Sequence, residues 1–185
     1  MGTRLKQKFS KGISTRRLLV MAMLSVLAAG FGAARALSGE PRARVETDFT
    51  RAAPRTVEEL TQRSITRDYA YAWDNLAAAL SSISPELLNG YFVGPAKAGF
   101  ENAIASQKRQ GIRCYYLEPH HKLKAVFYAP EGDVMELHDT AELDLRLTAD
   151  GRVIHEEHVV LHYVVLMTPA ADRWVIRQLQ AVPQF

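Results

Sequence analysis

The side chains best suited to moving a proton lie between Asp139 and Tyr163, where apolar and polar residues alternate around Ala149-Asp150-Gly151. A three-residue hairpin loop there, with Gly151 in the left-handed region, sets Thr148 opposite Arg152 and Leu147 opposite Val153. The pairing then runs back through Leu145 and His155, Leu143 and Glu157, Ala141 and Val159, Asp139 and Leu161, to Leu137 and Tyr163. Asp139, His155, Glu157 and Tyr163 thus share one face with leucines, valines and Met167. A carboxylate or imidazole in apolar surroundings has a displaced pKa and suits general acid or base work. Asp139, near mid-strand, is the first candidate. His155 and Glu157 lie close to the hairpin tip, where solvated side chains account for them without chemistry. A two-residue loop at Asp150-Gly151 turns the opposite parity inward instead, presenting Glu156, His158 and His162.

Other chemistries fail on spacing. His155-Glu156-Glu157-His158 has the wrong order for the helical zinc motif, and His158 and His162 stand about 13 Å apart on a strand rising ~3.3 Å per residue. His120 and His121 project to opposite faces of an extended chain. No phosphate-cradling glycine loop or Gly-x-Ser-x-Gly elbow occurs, so neither a cofactor nor a metal is expected. Cys114 is the one cysteine; it cannot close an internal disulfide and reads as a small buried hydrophobe. These residues specify no reaction, and the balance is against an enzyme.

The elements that must position the candidates are legible from periodicity. Thr56-Val57-Glu58-Glu59 has capping-box spacing and predicts a helix from Val57, with Leu60, Ile65, Tyr69, Ala72, Trp73, Leu76 and Leu80 on one buried face. Trp73 reads as a core anchor. Ser84-Pro85 starts a short helix, and Gly94-Pro95 opens another that Gly111 closes. Beyond Gly111 the period drops to two, which predicts strands at Ile112–Glu118, Lys122–Ala129, Val134–Thr148, Val153–Thr168 and Arg173–Val182. Helices first and a meander of strands afterwards predict an α+β domain, its N-terminal helices packed on a curved antiparallel β-sheet.

The N-terminal third decides where that domain works. Six bases from Arg4 to Arg17 precede an apolar run of 17 residues, Leu18–Ala34, at the short end of the roughly 17–25 needed to span a bilayer. Residues 1–36 therefore read as a basic segment plus signal anchor or signal peptide. Arg16-Arg17 also fits a twin-arginine signal, and Ala34-Arg35-Ala36 offers cleavage after Ala36 into a periplasmic or secreted form. The long basic segment and Arg35 within that cleavage site favour the uncleaved anchor. Of 23 Lys+Arg, 7 lie in the leader with no acid, leaving 16 bases against 20 acids. The basic pI is thus a property of the leader, and no nucleic-acid partner is expected. Residues 37–55, polar and broken by Pro41 and Pro54, read as a flexible linker to a domain at 56–185.

Several of these features resemble a known family. The helix with Tyr69 and Trp73, the Ser84-Pro85-Glu86-Leu87-Leu88 turn, the Gly94-Pro95 helix and a last strand with Asp172-Arg173-Trp174-Val175-Ile176 resemble the nuclear transport factor 2-like (SnoaL-like) superfamily. Leu87-Leu88-Asn89-Gly90-Tyr91-Phe92-Val93-Gly94-Pro95 is also similar to envelope domains of plastid and cyanobacterial division proteins. The resemblance implies a cystatin-like cone over residues 57–185, a fold that hosts isomerases, carriers and secretion-complex subunits alike. With the leader, it suggests a domain held outside the cytoplasm at the inner membrane of a bacterial envelope through Leu18–Ala34. There it would bind an envelope protein or a second copy of itself. A sheet apolar on both faces between Val153 and Thr168 needs cover on both, which supports that reading. The alternative is an exported cone that binds a small apolar ligand, with or without proton transfer.

Overall fold

The computed structural model describes residues 41–185; the basic segment, the apolar run and the cleavage site lie outside the described residues. Helix α1 (Glu59–Ser82) buries Ile65, Tyr69, Ala72, Trp73, Leu76 and Leu80, the predicted stripe, whereas Leu60 is exposed. The capping box does not form. The N-cap is Glu58, because Val57 is drawn into the core and the Glu58 carboxylate is held by Arg55 at 2.6 Å. Gln62 Nε2 donates to the Val57 carbonyl at 2.8 Å, so the helix opens two residues later than the spacing predicts. A short 3₁₀ helix (Pro85–Gly90) and α2 (Gly94–Gln110) follow, and Gly111 closes α2 at φ 66°.

Strands β1 (Arg44–Asp48), β2 (Ala53–Pro54), β3 (Ile112–Tyr128), β4 (Met135–Ala149), β5 (Arg152–Pro169) and β6 (Trp174–Val182) form one sheet. Its order is β1-β3-β4-β5-β6, with β2 also on β3. Two corrections follow. Residues 37–55 are not simply a linker: the compact unit begins at Pro41, and β1 and β2 pair with β3 in parallel. The sheet is therefore mixed, not wholly antiparallel. What orders this segment is Asp74 of α1, whose carboxylate accepts the Arg42 and Ala43 amides at 2.8 and 3.1 Å. Such a long-range tie leaves no trace in local periodicity.

The two strands expected between Ile112 and Ala129 are one, bulged between Leu117 and His120, with Glu118 at φ 48°. The bulge switches parity. Cys114 and Tyr116 pair with the inward Leu147 and Leu145, and beyond it His121, Leu123 and Ala125 pair with Ala141, Asp139 and Leu137. Unbroken alternation would instead have turned His120, Lys122 and Lys124 inward.

The β4–β5 hairpin also departs from the expected register. Ala149 pairs with Arg152 across a two-residue turn, Asp150 and Gly151 both lying at positive φ, as a type I′ turn requires. Thr148 pairs with Val153 and Leu147 with His155, so Ile154 is an extra residue. That bulge cancels the parity change the shorter loop would have made. Asp139 still faces inward, but opposite Tyr163 rather than Leu161.

Helix α1 contacts β1 and β3 as well as β6, strands at opposite ends of the order, so the sheet bends around it. Asp68 fastens the far side, its buried carboxylate accepting the Trp174 amide of β6 at 2.8 Å. The result is an α+β fold with helices packed on a mixed sheet. No helix among the described residues is long and apolar enough to cross a membrane.

Asp74→Ala, which removes the acceptor of two backbone amides, is expected to lower unfolding free energy by about 1–2 kcal/mol. It should also speed amide exchange across Arg44–Asp48; unchanged exchange there would refute Asp74 as the tie that orders β1.

Candidate functional site

Helical spacing and the two bulges bring four side chains to one point inside the bent sheet. Tyr69 and Trp73 are one turn apart on α1, so they share a face. His121 arrives from β3 just past its bulge, and Asp139 from the middle of β4. Tyr69, His121 and Asp139 are 0% exposed and Trp73 is 1% exposed.

Asp139 Oδ2 is the hub. The Tyr69 hydroxyl donates to it at 2.7 Å, and His121 Nδ1 lies 2.8 Å from the same oxygen. An ionised carboxylate only accepts, so Nδ1 carries a hydrogen and Nε2 points away from the acid. Trp73 lies over the imidazole with ring centroids 4.2 Å apart, and the Tyr69 ring meets it edge-on at 5.5 Å. Tyr163, the cross-strand partner of Asp139, adds a ring 5.8 Å from Trp73. His121 Nε2, Asp139 Oδ1 and Trp73 Nε1 are buried without a partner, so the cluster keeps hydrogen-bonding capacity in reserve.

Burial, then the charge on Asp139, pushes the Tyr69 phenol well above its ordinary range. The same causes raise Tyr163 to about 12. Tyr69 is therefore a fixed donor over the physiological range. An Asp–His pair with a bare Nε2 has the make-up of a general base, but only for a reactant that can reach it. In this closed arrangement its atoms are out of reach of solvent. An open groove of about 570 Å³ lies elsewhere, between β1 and α1, lined by Val45, Thr47, Gln62, Arg63, Thr66 and Arg67.

Of the four residues singled out from sequence, Asp139 and Tyr163 come together and His155 and Glu157 do not. The latter two form an exposed pair at 3.2 Å, on the part of β5 that has left the helices behind. The opposite parity faces outward: Glu156 meets Arg146 at 2.8 Å, and His158 lies between Asp144 at 2.8 Å and Glu142 at 3.2 Å. Hydrogen bonding to Asp144 raises the His158 pKa. Cys114 is buried, and that burial lifts its thiol to about 11, which leaves it a poor nucleophile. No group of three or more His, Cys, Asp or Glu among the described residues is placed to hold a metal.

Sequence reasoning passed over His121 and Tyr69. His120 and His121 do project to opposite faces, His120 outward to Glu46 at 3.1 Å. Which of the two enters the core depends on the bulge, and Pro119 within the strand pattern was the available signal.

The fold is similar to a solved plastid domain. The crystal structure of the intermembrane space region of chloroplast protein ARC6 matches with a TM-score of 0.55 and 12% identity, covering 70% of this chain and 98% of that one. It is among 16 matching solved chains. At this identity the likeness is one of fold. No family model matches the chain, and no curated protein does.

Asp139→Ala strands two buried donors and is expected to cost about 2–6 kcal/mol of stability, against about 1–3 kcal/mol for Tyr69→Phe. A double-mutant cycle between them should show coupling of about 1 kcal/mol or more; additivity would mean that the hydrogen bond contributes nothing.

The tyrosines also set an alkaline limit. From the ordinary value of 10.0 up to about 12 for Tyr163, the unfolded phenol loses its proton while the folded one keeps it. Stability therefore falls as pH rises through this window. Tyr163→Phe should flatten that fall in denaturation midpoints, and an unchanged slope would exclude Tyr163 as a source.

Proposed function

We propose that this chain is a membrane-anchored protein of the bacterial envelope whose domain has the cone-shaped nuclear transport factor 2-like (SnoaL-like) fold and works outside the cytoplasm by binding protein. The leader supports the location, through its acid-free basic segment and apolar run. The ARC6 region supports the setting, being itself a domain from the space between two membranes.

One observation carries the mode of action: the chemistry-bearing side chains are sealed while aliphatic surface is displayed. Asp139, His121 and Tyr69 are fully buried, whereas Val153, Ile154 and Val160, on the outer reach of the β4–β5 hairpin, are 54%, 55% and 53% exposed. Exposed aliphatics clustered on one element are the usual mark of a contact surface.

A second reading rests on the unpartnered His121 Nε2 and Asp139 Oδ1. A small apolar ligand admitted beneath α1 would meet a ready proton acceptor, which makes Asp139 the residue to test for proton transfer.

Two measurements decide between them. A reporter fused after Phe185 is expected to be active only outside the cytoplasm, with the intact protein kept in the membrane after alkaline extraction; a mature N-terminus at Leu37 would overturn the anchor. Val153→Ser with Ile154→Ser should weaken recovery of a cross-linked partner by about fivefold or more, with an unchanged melting temperature because both sites are exposed. If instead a turnover is found that Asp139→Asn abolishes in a folded protein, the second reading replaces the first.

A further inference from the structure

The hairpin that displays those aliphatics also displays backbone. Strand β6 pairs with β5 only from His162 to Pro169, so Arg152–Leu161 has β4 on one side and, among the described residues, no strand on the other. Ten consecutive residues of free strand edge form an unusual surface. The comparable stretch of β3, Ile112–Pro119, is blunted by its proline and bulge and tied to α1 by Arg113, which donates to the Ser81 carbonyl at 2.7 Å. The β5 edge has no proline, and its one bulge, at Ile154, lies beside the hairpin turn and leaves His155–Leu161 regular.

It carries acids and imidazoles between aliphatics: Val153-Ile154-His155-Glu156-Glu157-His158-Val159-Val160. Two such edges running antiparallel around a two-fold axis must keep like faces together, so each residue meets one of the same parity. Centred on Glu157, this sets Glu156 of each copy against His158 of the other on the outer face, an acid against an imidazole, twice. At the axis Glu157 meets Glu157, a like-charge pair that opposes the contact and that His155 of each copy, 3.2 Å from its own Glu157, offsets when protonated. At both ends Ile154 meets Val160, covering aliphatics that are half-exposed in the single chain. The edge is thus complementary to its own copy through Glu156 and His158 and through Ile154 and Val160.

We propose that two copies of the chain join through this edge, Ile154–Val160 against Ile154–Val160, extending the sheet across a two-fold axis at Glu157. The inference rests on the protein-binding reading and names its partner as the chain itself. The contact is small beside stable interfaces, and confinement of both copies to one membrane raises the local concentration that it needs.

Cysteine trapping in the full-length protein, in the membranes of the cells that make it, tests this. Glu157→Cys is expected to give a disulfide-linked homodimer under mild oxidation at about five times the yield of Gln180→Cys, an exposed site on β6. Adding Val160→Lys, a charge at an already exposed edge position, should cut that yield about tenfold without changing the melting temperature. A Glu157→Cys yield no higher than that of Gln180→Cys, or a yield indifferent to Val160→Lys, overturns self-pairing. So does trapping of a different protein at Glu157→Cys, but that result leaves the protein-binding reading standing, whereas no adduct of any kind removes the surface on which both depend.

Discussion

A carboxylate at the centre of an apolar core must be satisfied by donors that arrive from elsewhere in the chain. Asp139 meets this demand through one oxygen, shared by Tyr69 from the helix and His121 from the neighbouring strand. Because the three residues belong to three elements, the bonds form only when helix, β3 and β4 are all in register. The cluster is thus a checkpoint on the assembly of the fold, a role for buried polar groups that bulk hydrophobicity cannot fill.

Two irregularities in the sheet exist in relation to that point. The bulge at Glu118-Pro119 changes which of two adjacent histidines enters, and with it keeps Lys122 and Lys124 in solvent. The extra residue Ile154 offsets the short turn at Asp150-Gly151, so that β5 presents Tyr163 and not His162 to the interior. Removing either irregularity alone would carry charge inward along half a strand. Asp68 and Asp74 hold the two ends of the bent sheet to α1.

What could be read in advance follows the range of the interactions involved. Helix stripes, the Gly111 stop and the strand boundaries from Met135 onward depend on neighbours a few residues apart and were visible in the spacing. The inward face of β4 was visible too, Asp139 included. Strand β1 was not, since Arg44-Val45-Glu46-Thr47-Asp48 has one aliphatic residue and owes its order to Asp74, some thirty residues away. The hairpin register slipped by two because a compensating bulge has no composition of its own. His121 and Tyr69 were hidden for a related reason: their significance lies in a meeting of three elements, and each alone looks like ordinary core.

The parallel pairing of β1 has a mechanical side. A pull on the chain at Pro41 does not reach the aromatic core first. It meets the two amides held by Asp74, then the ladder from Arg44 to Asp48 along β3, in which Val45 stands beside His121. Tension entering from the N-terminal side therefore falls first on a short peripheral strand, and loss of that strand would bare the backbone edge of β3 at His121, the side of the centre that β1 covers.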